Sequence, residues 1–275
     1  MYERHHVEIT REDVPFANLP EGLQGLRIGF MSDLHRSPSV PHELIATAVQ
    51  ALLSEHPDVI VLGGDYVTWG DQRYVGPVAE ALAPLSAPHG VFAVLGNHDL
   101  DRDLPPALAA RGFAVLCDQR TQITIKGEKL DFVGVKYWTR RLSEIEHILR
   151  GASPAAILLA HTPMRYHQAS ELHVPLVLSG HTHGGQVVLP GLGALAVRKY
   201  PVASGVGFHN QTTIFVTRGV GTVYVPVRVN CPPEVAVLTL VQGVRPGSDR
   251  GQTGVRPHLS RFRCDLRAGG VSTGV

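Results

Sequence analysis

Short apolar runs, each ending in polar residues and separated by stretches of helical periodicity, set the rhythm of the first half of the chain. Residues 26–31 are apolar apart from Arg27 and Gly29, and they run into Ser32-Asp33-Leu34-His35. Leu44, Ile45, Ala48, Val49 and Leu52 then fall at helical spacing behind Pro41, whose missing N–H costs nothing at a helix start, and predict a helix from residue 41 to about 55. Residues 58–62 read as a buried strand ending in Gly63-Gly64-Asp65. A second helix is expected around 75–85, and residues 91–95 form a third strand that ends in Gly96-Asn97-His98-Asp99. Strands and helices alternating in this order predict a parallel or mixed sheet with crossover helices.

After Gly112 the texture changes. Short strands are expected at 122–126 and 130–137 around the turn Gly127-Glu128, then a short helix at 142–150. The run 156–160 ends in His161, and 175–178 ends in Ser179-Gly180-His181-Thr182-His183; two more strands, 213–217 and 235–240, close the folded part. The expected fold is α/β, a four-layer α/β/β/α sandwich of two mixed sheets flanked by helices, spanning residues 1–242. Residues 243–275 are rich in Gly, Arg, Ser and Thr without periodicity and read as a disordered tail.

Composition narrows the picture only modestly. With 275 residues, 44% of them hydrophobic, the chain can bury a sizeable core. A formal net charge of +1 gives no global field toward nucleic acid, which is not an expected partner. Cys117, Cys231 and Cys264 are odd in number and far apart, so a reducing compartment is the expectation. No apolar run approaches the roughly 18–20 residues of a membrane span, and the first residues lack a signal-peptide pattern. The expected location is cytoplasmic, with peripheral contact to the inner membrane left open.

The histidines matter more by position than by number. Asp33 with His35, Asp65, Asn97 with His98, His161, and His181 with His183 all sit at the ends of predicted strands, where open α/β sheets collect their ligands. Residues two apart in an extended segment point to one side, so Asp33 and His35 are expected to chelate together, and His181 and His183 have the same spacing. Oxygen and imidazole ligands suit Mn, Fe, Zn or Co rather than a thiolate-bound structural zinc. Leaving His98 aside, seven such ligands are too many for one ion and about right for two. Two divalent ions against the charges of Asp33, Asp65 and a hydroxide leave a net positive site, as an anionic ester requires.

The series Asp33-x-His35, Gly64-Asp65, Gly96-Asn97-His98-Asp99, His161 and Gly180-His181-x-His183 resembles the signature of the calcineurin-like metallophosphoesterases. The resemblance covers roughly residues 7–241. Through the stretches 178–186, 218–221 and 228–234 it is closest to the bacterial branch with the YkuE-like phosphoesterases and the UDP-2,3-diacylglucosamine pyrophosphatases of the LpxG type. It implies Asp33, His35, Asp65 and His183 around one metal, Asp65 bridging, and Asn97, His161 and His181 completing the other. It implies that His98, outside the ligand set, reaches the substrate phosphate and protonates the leaving oxygen, with Asp99 orienting it. A hydroxide bridging the two metals would attack phosphorus in line.

The function so implied is dimetal hydrolysis of a phosphodiester or pyrophosphate, with manganese favoured and a phosphorylated small-molecule or lipid-linked substrate. A UDP-2,3-diacylglucosamine-type lipid precursor is one candidate. A general phosphodiesterase or phosphatase on nucleotides or small esters is the alternative, and a non-catalytic metal-binding module is a third reading against which the filled ligand positions weigh. The chain departs from the pattern at Thr68, where many relatives carry an acid, and at Tyr137-Trp138-Thr139-Arg140, where acidic residues are common. Relatives also often carry a membrane anchor upstream of the region that starts here at Tyr2.

Several further residues have two readings each. Tyr137, Trp138 and Arg140 form a substrate wall or a packing loop, and His209 is a candidate for the pocket wall. Gly184-Gly185-Gln186 is a phosphate cradle or a tight turn into a strand at 187–188. Arg218 and Arg228 are anion contacts or surface charges. Cys231 is expected as a small buried hydrophobe.

Overall fold

In the computed structural model, which describes residues 6–243, the apolar runs become the strands of two six-stranded sheets. The first half of the chain gives β1 (Glu8–Phe16), β2 (Arg27–Met31), α1 (His42–Leu53), β3 (Val59–Leu62), α2 (Val75–Leu82), β4 (Val91–Ala93), α3 (Leu104–Ala109) and β5 (Ala114–Val115). The second half gives β6 (Gln119–Ile125), β7 (Glu128–Val135), α4 (Leu142–Leu149), β8 (Ala156–Ala160), α5 (Tyr166–Glu171) and β9 (Leu176–Ser179). It closes with β10 (Gly205–His209), β11 (Thr212–Val216) and β12 (Glu234–Gln242).

The first sheet has the order β1-β12-β2-β3-β4-β5, and β2 through β5 run parallel. The second has the order β10-β11-β9-β8-β7-β6, with four parallel central strands between two antiparallel edges. Their inner faces meet through aromatic pairs. Phe92 stacks on Phe132 with ring centroids 4.3 Å apart, and Phe30 meets Phe215 edge-on at 6.2 Å. Burying such a ring contributes about 1.5–3 kcal/mol. Ile45, Val49, Leu52 and Leu82 cover the outer face of the first sheet, and Ile145, Tyr166 and Ala169 that of the second. The four-layer sandwich is the expected one, and its central parallel strands deliver their C-terminal ends to one place.

The structure adds β1, α3, β5, α5 and β10 to the elements expected. Strand β1 pairs in parallel with β12 from Glu8 to Phe16, but its polar middle, Thr10 to Asp13, concealed it. The expected tail lies, beyond Gly243, outside the described residues. No helix among the described residues is long and apolar enough to cross a membrane.

Candidate metal centre

The ligand-type residues occupy tight turns rather than extended strand ends. Asp33, His35, Asp65, His181 and His183 all have left-handed backbones, with φ between 47° and 72°. Asp and His enter this region more readily than most residues, yet each such residue costs roughly 1–3 kcal/mol. Backbone bonds between the turns hold the conformation: Asp33 N–H donates to Gly64 O at 2.8 Å, His35 N–H to Asp65 O at 2.9 Å, and Gly221 N–H to Asp33 O at 2.7 Å. Strand alternation is therefore not what brings Asp33 and His35 together, and His181 and His183 part company into different groups. Two glycines make room for the carboxylates. A Cβ at Gly96 would overlap the Asp65 carboxylate, and one at Gly180 would overlap that of Asp33.

Two clusters result: Asp33, His35 and His183, and Asp65, His161 and His181. In the first, His183 Nε2 lies 3.0 Å from His35 Nε2 and 3.3 Å from Asp33 Oδ1. In the second, His161 Nε2 lies 3.1 Å from Asp65 Oδ2 and 3.2 Å from His181 Nδ1. Asp65 Oδ2 is also 3.5 Å from His35 Nε2, which puts this carboxylate between the clusters. His161 Nδ1 sits 2.8 Å from Gly63 O; donating there fixes the ring with Nε2 aimed inward at Asp65. Thr68 Oγ1, at the first of the expected departures from the family pattern, lies 3.4 Å from His35 Nδ1.

The donor set fits cations. Asn97 Oδ1 and His183 Nδ1 are buried polar atoms without a hydrogen-bond partner among the described residues, an arrangement that costs free energy unless another group satisfies it. Burial pushes Asp33 up to about 6, His35 down to about 4 and His181 down to about 3, and drives His183 well below its ordinary value. Burial would also lower His161, but the Asp65 and Asp33 carboxylates outweigh it and push this one imidazole up to about 10. His35, His181 and His183, neutral beside two carboxylates, are suited to bind a cation, and His161 alone carries a proton.

His98 stands just outside both clusters. Its backbone N–H donates to Asp65 Oδ1 at 2.8 Å, and its Nδ1 accepts the Trp69 N–H at 3.1 Å. The neutral imidazole then carries its proton on Nε2, and burial lowers its pKa. The expected orientation of His98 by Asp99 is corrected. Both Asp99 oxygens are taken by backbone amides, those of Asp65 and Tyr66 at 2.7 Å and Gly96 at 2.8 Å, so Asp99 holds the turn that carries Asp65.

A cleft of about 500 Å³ opens over Asp65, Asn97, His98, His181 and His183. Tyr137 and Tyr200 flank the His181 ring with centroids at 5.4 and 5.5 Å, while Trp138 is exposed, with the Arg140 guanidinium 5.0 Å from its ring centre. The far wall is apolar, with Val187, Leu189, Leu195, Val197 and Val225. Gly184-Gly185-Gln186 is a turn rather than a phosphate cradle. The Gln186 side chain accepts from Val223 N–H at 2.6 Å and donates to the carbonyls of Val223 and Val225 at 3.1 and 3.2 Å, locking the loop that forms this wall.

Neither arginine behaves as expected. Arg228 is fully buried and donates to the carbonyls of Arg218, Gly219, Gly221 and Cys231, bracing the segment against Asp33. Val227 and Val229 on either side were the available signal. Arg218 is paired with Glu8 and Glu234. His209 packs near Tyr166 and His167, away from the cleft wall. Cys231 is buried as expected, and its thiol donates to His183 O at 3.2 Å. Sequence reasoning overlooked Lys199 and Tyr200, because no strand end announces them.

Residues 26–185 match the calcineurin-like phosphoesterase family. The chain is 33% identical over 243 residues to phosphodiesterase YaeI of Escherichia coli (strain K12), covering 85% of this chain and 88% of that relative. It is 30% identical over 248 residues to the uncharacterized metallophosphoesterase YkuE of Bacillus subtilis (strain 168), covering 86% and 87%. Among solved structures, Haemophilus influenzae NAD nucleotidase aligns with a TM-score of 0.50 at 15% identity, over 71% of this chain and 45% of that one. At that identity the likeness is one of fold.

Proposed function

The chain belongs to the calcineurin-like phosphoesterase family and is a metal-dependent phosphoester hydrolase, and from that premise we propose that it cleaves a phosphodiester or pyrophosphate bond at a two-metal centre. Asp33, His35 and His183 would hold one ion and Asn97, His161 and His181 the other, with Asp65 available to both. The observation that carries the assignment is the position of Asp65 Oδ2, within 3.5 Å of His35 Nε2 and 3.1 Å of His161 Nε2, one from each cluster. When bound, two divalent ions would polarise the phosphoryl oxygens and lower the pKa of the attacking water. Asp33 and Asp65 offer buried oxygens, and their two charges would leave a site loaded with two divalent ions positive, which favours an anionic ester. His98 presents Nε2–H to the cleft, where it donates to the leaving oxygen as the bond to phosphorus breaks. Asp99 maintains the Asp65 turn. Manganese is our first choice of metal.

A lipid-linked pyrophosphate such as UDP-2,3-diacylglucosamine is favoured within this class by the apolar far wall, which offers acyl chains a surface that a small polar ester does not need. Chelator-stripped protein supplied with Mn²⁺ should release nitrophenol from bis-p-nitrophenyl phosphate, and Asp65→Ala should not. Absence of turnover together with absence of bound metal would sink the two-metal assignment. For the lipid reading, kcat/KM should be higher on the diacylated sugar nucleotide than on its chain-free analogue; equal values would reject it.

A further inference from the structure

The rim of the cleft exposes a row of large apolar side chains. Leu192 (59% exposed) and Leu195 (46%) stand on one loop, and Tyr224 (78%) and Val225 on the loop facing it. Trp69 (67%) extends the row through a ring contact with Tyr224 at 5.4 Å. Single exposed apolar residues are ordinary, but a contiguous group marks a contact surface. These loops are held in place: Gln186 clamps 223–225, and Val187 pairs with Val229.

The segment that supplies both loops carries charge of one sign, and beside Trp69 the Asp71 carboxylate is paired with Arg73. No Asp or Glu occurs between Glu171 and Glu234, the whole segment that supplies both loops. Its lysines and arginines are Arg198, Lys199, Arg218 and Arg228. Arg218 is neutralised by Glu8 and Glu234, and Arg228 is buried among carbonyls. Arg198 and Lys199 remain exposed at the rim, where Arg198 donates to the Leu192 carbonyl at 3.2 Å and Lys199 lines the cleft mouth. The near-neutral total charge of the chain conceals this local bias.

We propose that this rim docks on an anionic lipid bilayer, with Leu192, Leu195, Tyr224 and Trp69 entering the headgroup–acyl boundary and Arg198 and Lys199 on lipid phosphates. Apolar side chains fringed by cations are the combination that binds such an interface. A second copy of the chain would cover the same apolar area, but a two-fold contact would set Arg198 and Lys199 against their own kind with no acid from this segment to offset them. The docked orientation turns the cleft mouth to the membrane, so a lipid-borne phosphate reaches Asp65 and His98 from the bilayer surface. That last consequence rests on the hydrolase reading above; the docking itself does not.

The test uses the metal-loaded full chain and cosedimentation with phosphatidylcholine vesicles, with and without phosphatidylglycerol. Binding is expected on the anionic vesicles and should weaken as salt is raised. Leu192→Glu should lower it at least tenfold, and Arg198→Glu by roughly fivefold per unit of charge changed. Neither residue touches a metal ligand or lines the cleft, so both variants should turn over bis-p-nitrophenyl phosphate as the parent does, which also reports that they are folded. No binding by the parent, or undiminished binding by Leu192→Glu, overturns the proposal. Self-association abolished by Leu192→Glu, without vesicle binding, would assign the rim to a second copy instead. Vesicle binding without bis-p-nitrophenyl phosphate turnover would count against the hydrolase reading and leave the docking surface standing.

Discussion

The backbone N–H of Trp69 donates to Nδ1 of His98 at 3.1 Å, and the Trp69 ring lies 4.5 Å from the imidazole it supports. One residue thereby fixes which nitrogen of His98 carries the proton and shields one side of the ring. Trp69 reaches this position with φ at 53°, so the turn after Asp65 is shaped around the His98 contact.

Replacing His98 with Gln should lower kcat by about 10²–10⁴-fold, the range for losing a positioned proton donor. Bound metal should be unchanged, because His98 belongs to neither ligand cluster. The loss should be smaller for a nitrophenolate leaving group, which departs without protonation, than for an alkoxide. Equal losses on the two substrates would refute proton donation by His98.

Asp99→Asn tests the clamp on the bridging carboxylate. Asp99 gathers the amides of Asp65, Tyr66 and Gly96 with two carboxylate oxygens, whereas an amide offers one oxygen and turns an NH₂ toward an N–H. A stability loss of about 1–3 kcal/mol is expected, together with metal binding weakened about 10–100-fold. Thermal denaturation and metal titration read the two separately. Wild-type metal affinity in this variant would mean that the Asp65 turn does not depend on Asp99.

Much of this was legible because apolar β-strands and their polar ends are local signals. The helix expected at 41–55 is α1, His42–Leu53, and the strand expected at 156–160 is β8 without change. The ligand-type residues could be picked out for the same reason: Asp33, Asp65, Asn97, His161, His181 and His183 each follow a buried run. What stayed hidden depends on distant pairing. Strand β1 exists because β12, more than 200 residues later, accepts it. The role of Asp99 depends on amides at 65, 66 and 96, and that of Arg228 on the carbonyls of the segment folded around it. Spacing also misled at the turns. Residues i and i+2 do share a side in a strand, but left-handed backbone at Asp33, His35, His181 and His183 replaces that rule.

Asp131 gives a pH test remote from the metal centre. It is buried on β7 and accepts from Arg120 at 2.8 Å, Gln122 at 2.9 Å and the Ser153 N–H at 2.8 Å. Burial by itself would raise this carboxyl; the donors outweigh it and hold the pKa below the ordinary range. A depressed folded value stabilises the protein above the unfolded pKa of about 3.9, and the contribution is lost as pH falls through the folded value. Asp131→Asn should therefore lower Tm at neutral pH, with the gap to wild type closing as pH drops below about 4. A gap that does not change with pH would assign the effect to packing and hydrogen bonding rather than charge.

Metal removal should be visible in stability as well as in turnover. Five left-handed residues and two buried carboxylates are held together at a site whose imidazoles are mostly neutral, so the unloaded centre opposes the fold that surrounds it. An ion present at a hundred times its Kd adds about 2.7 kcal/mol to the folded state. Chelation is expected to lower Tm by several degrees, and added Mn²⁺ to restore it in proportion to the logarithm of its concentration. Asp65→Ala, which removes the carboxylate shared by both clusters, should respond to neither treatment beyond a small residual shift. If the wild-type Tm ignores both chelator and Mn²⁺, the two clusters hold no ion that matters to the fold, and the two-metal assignment fails with them.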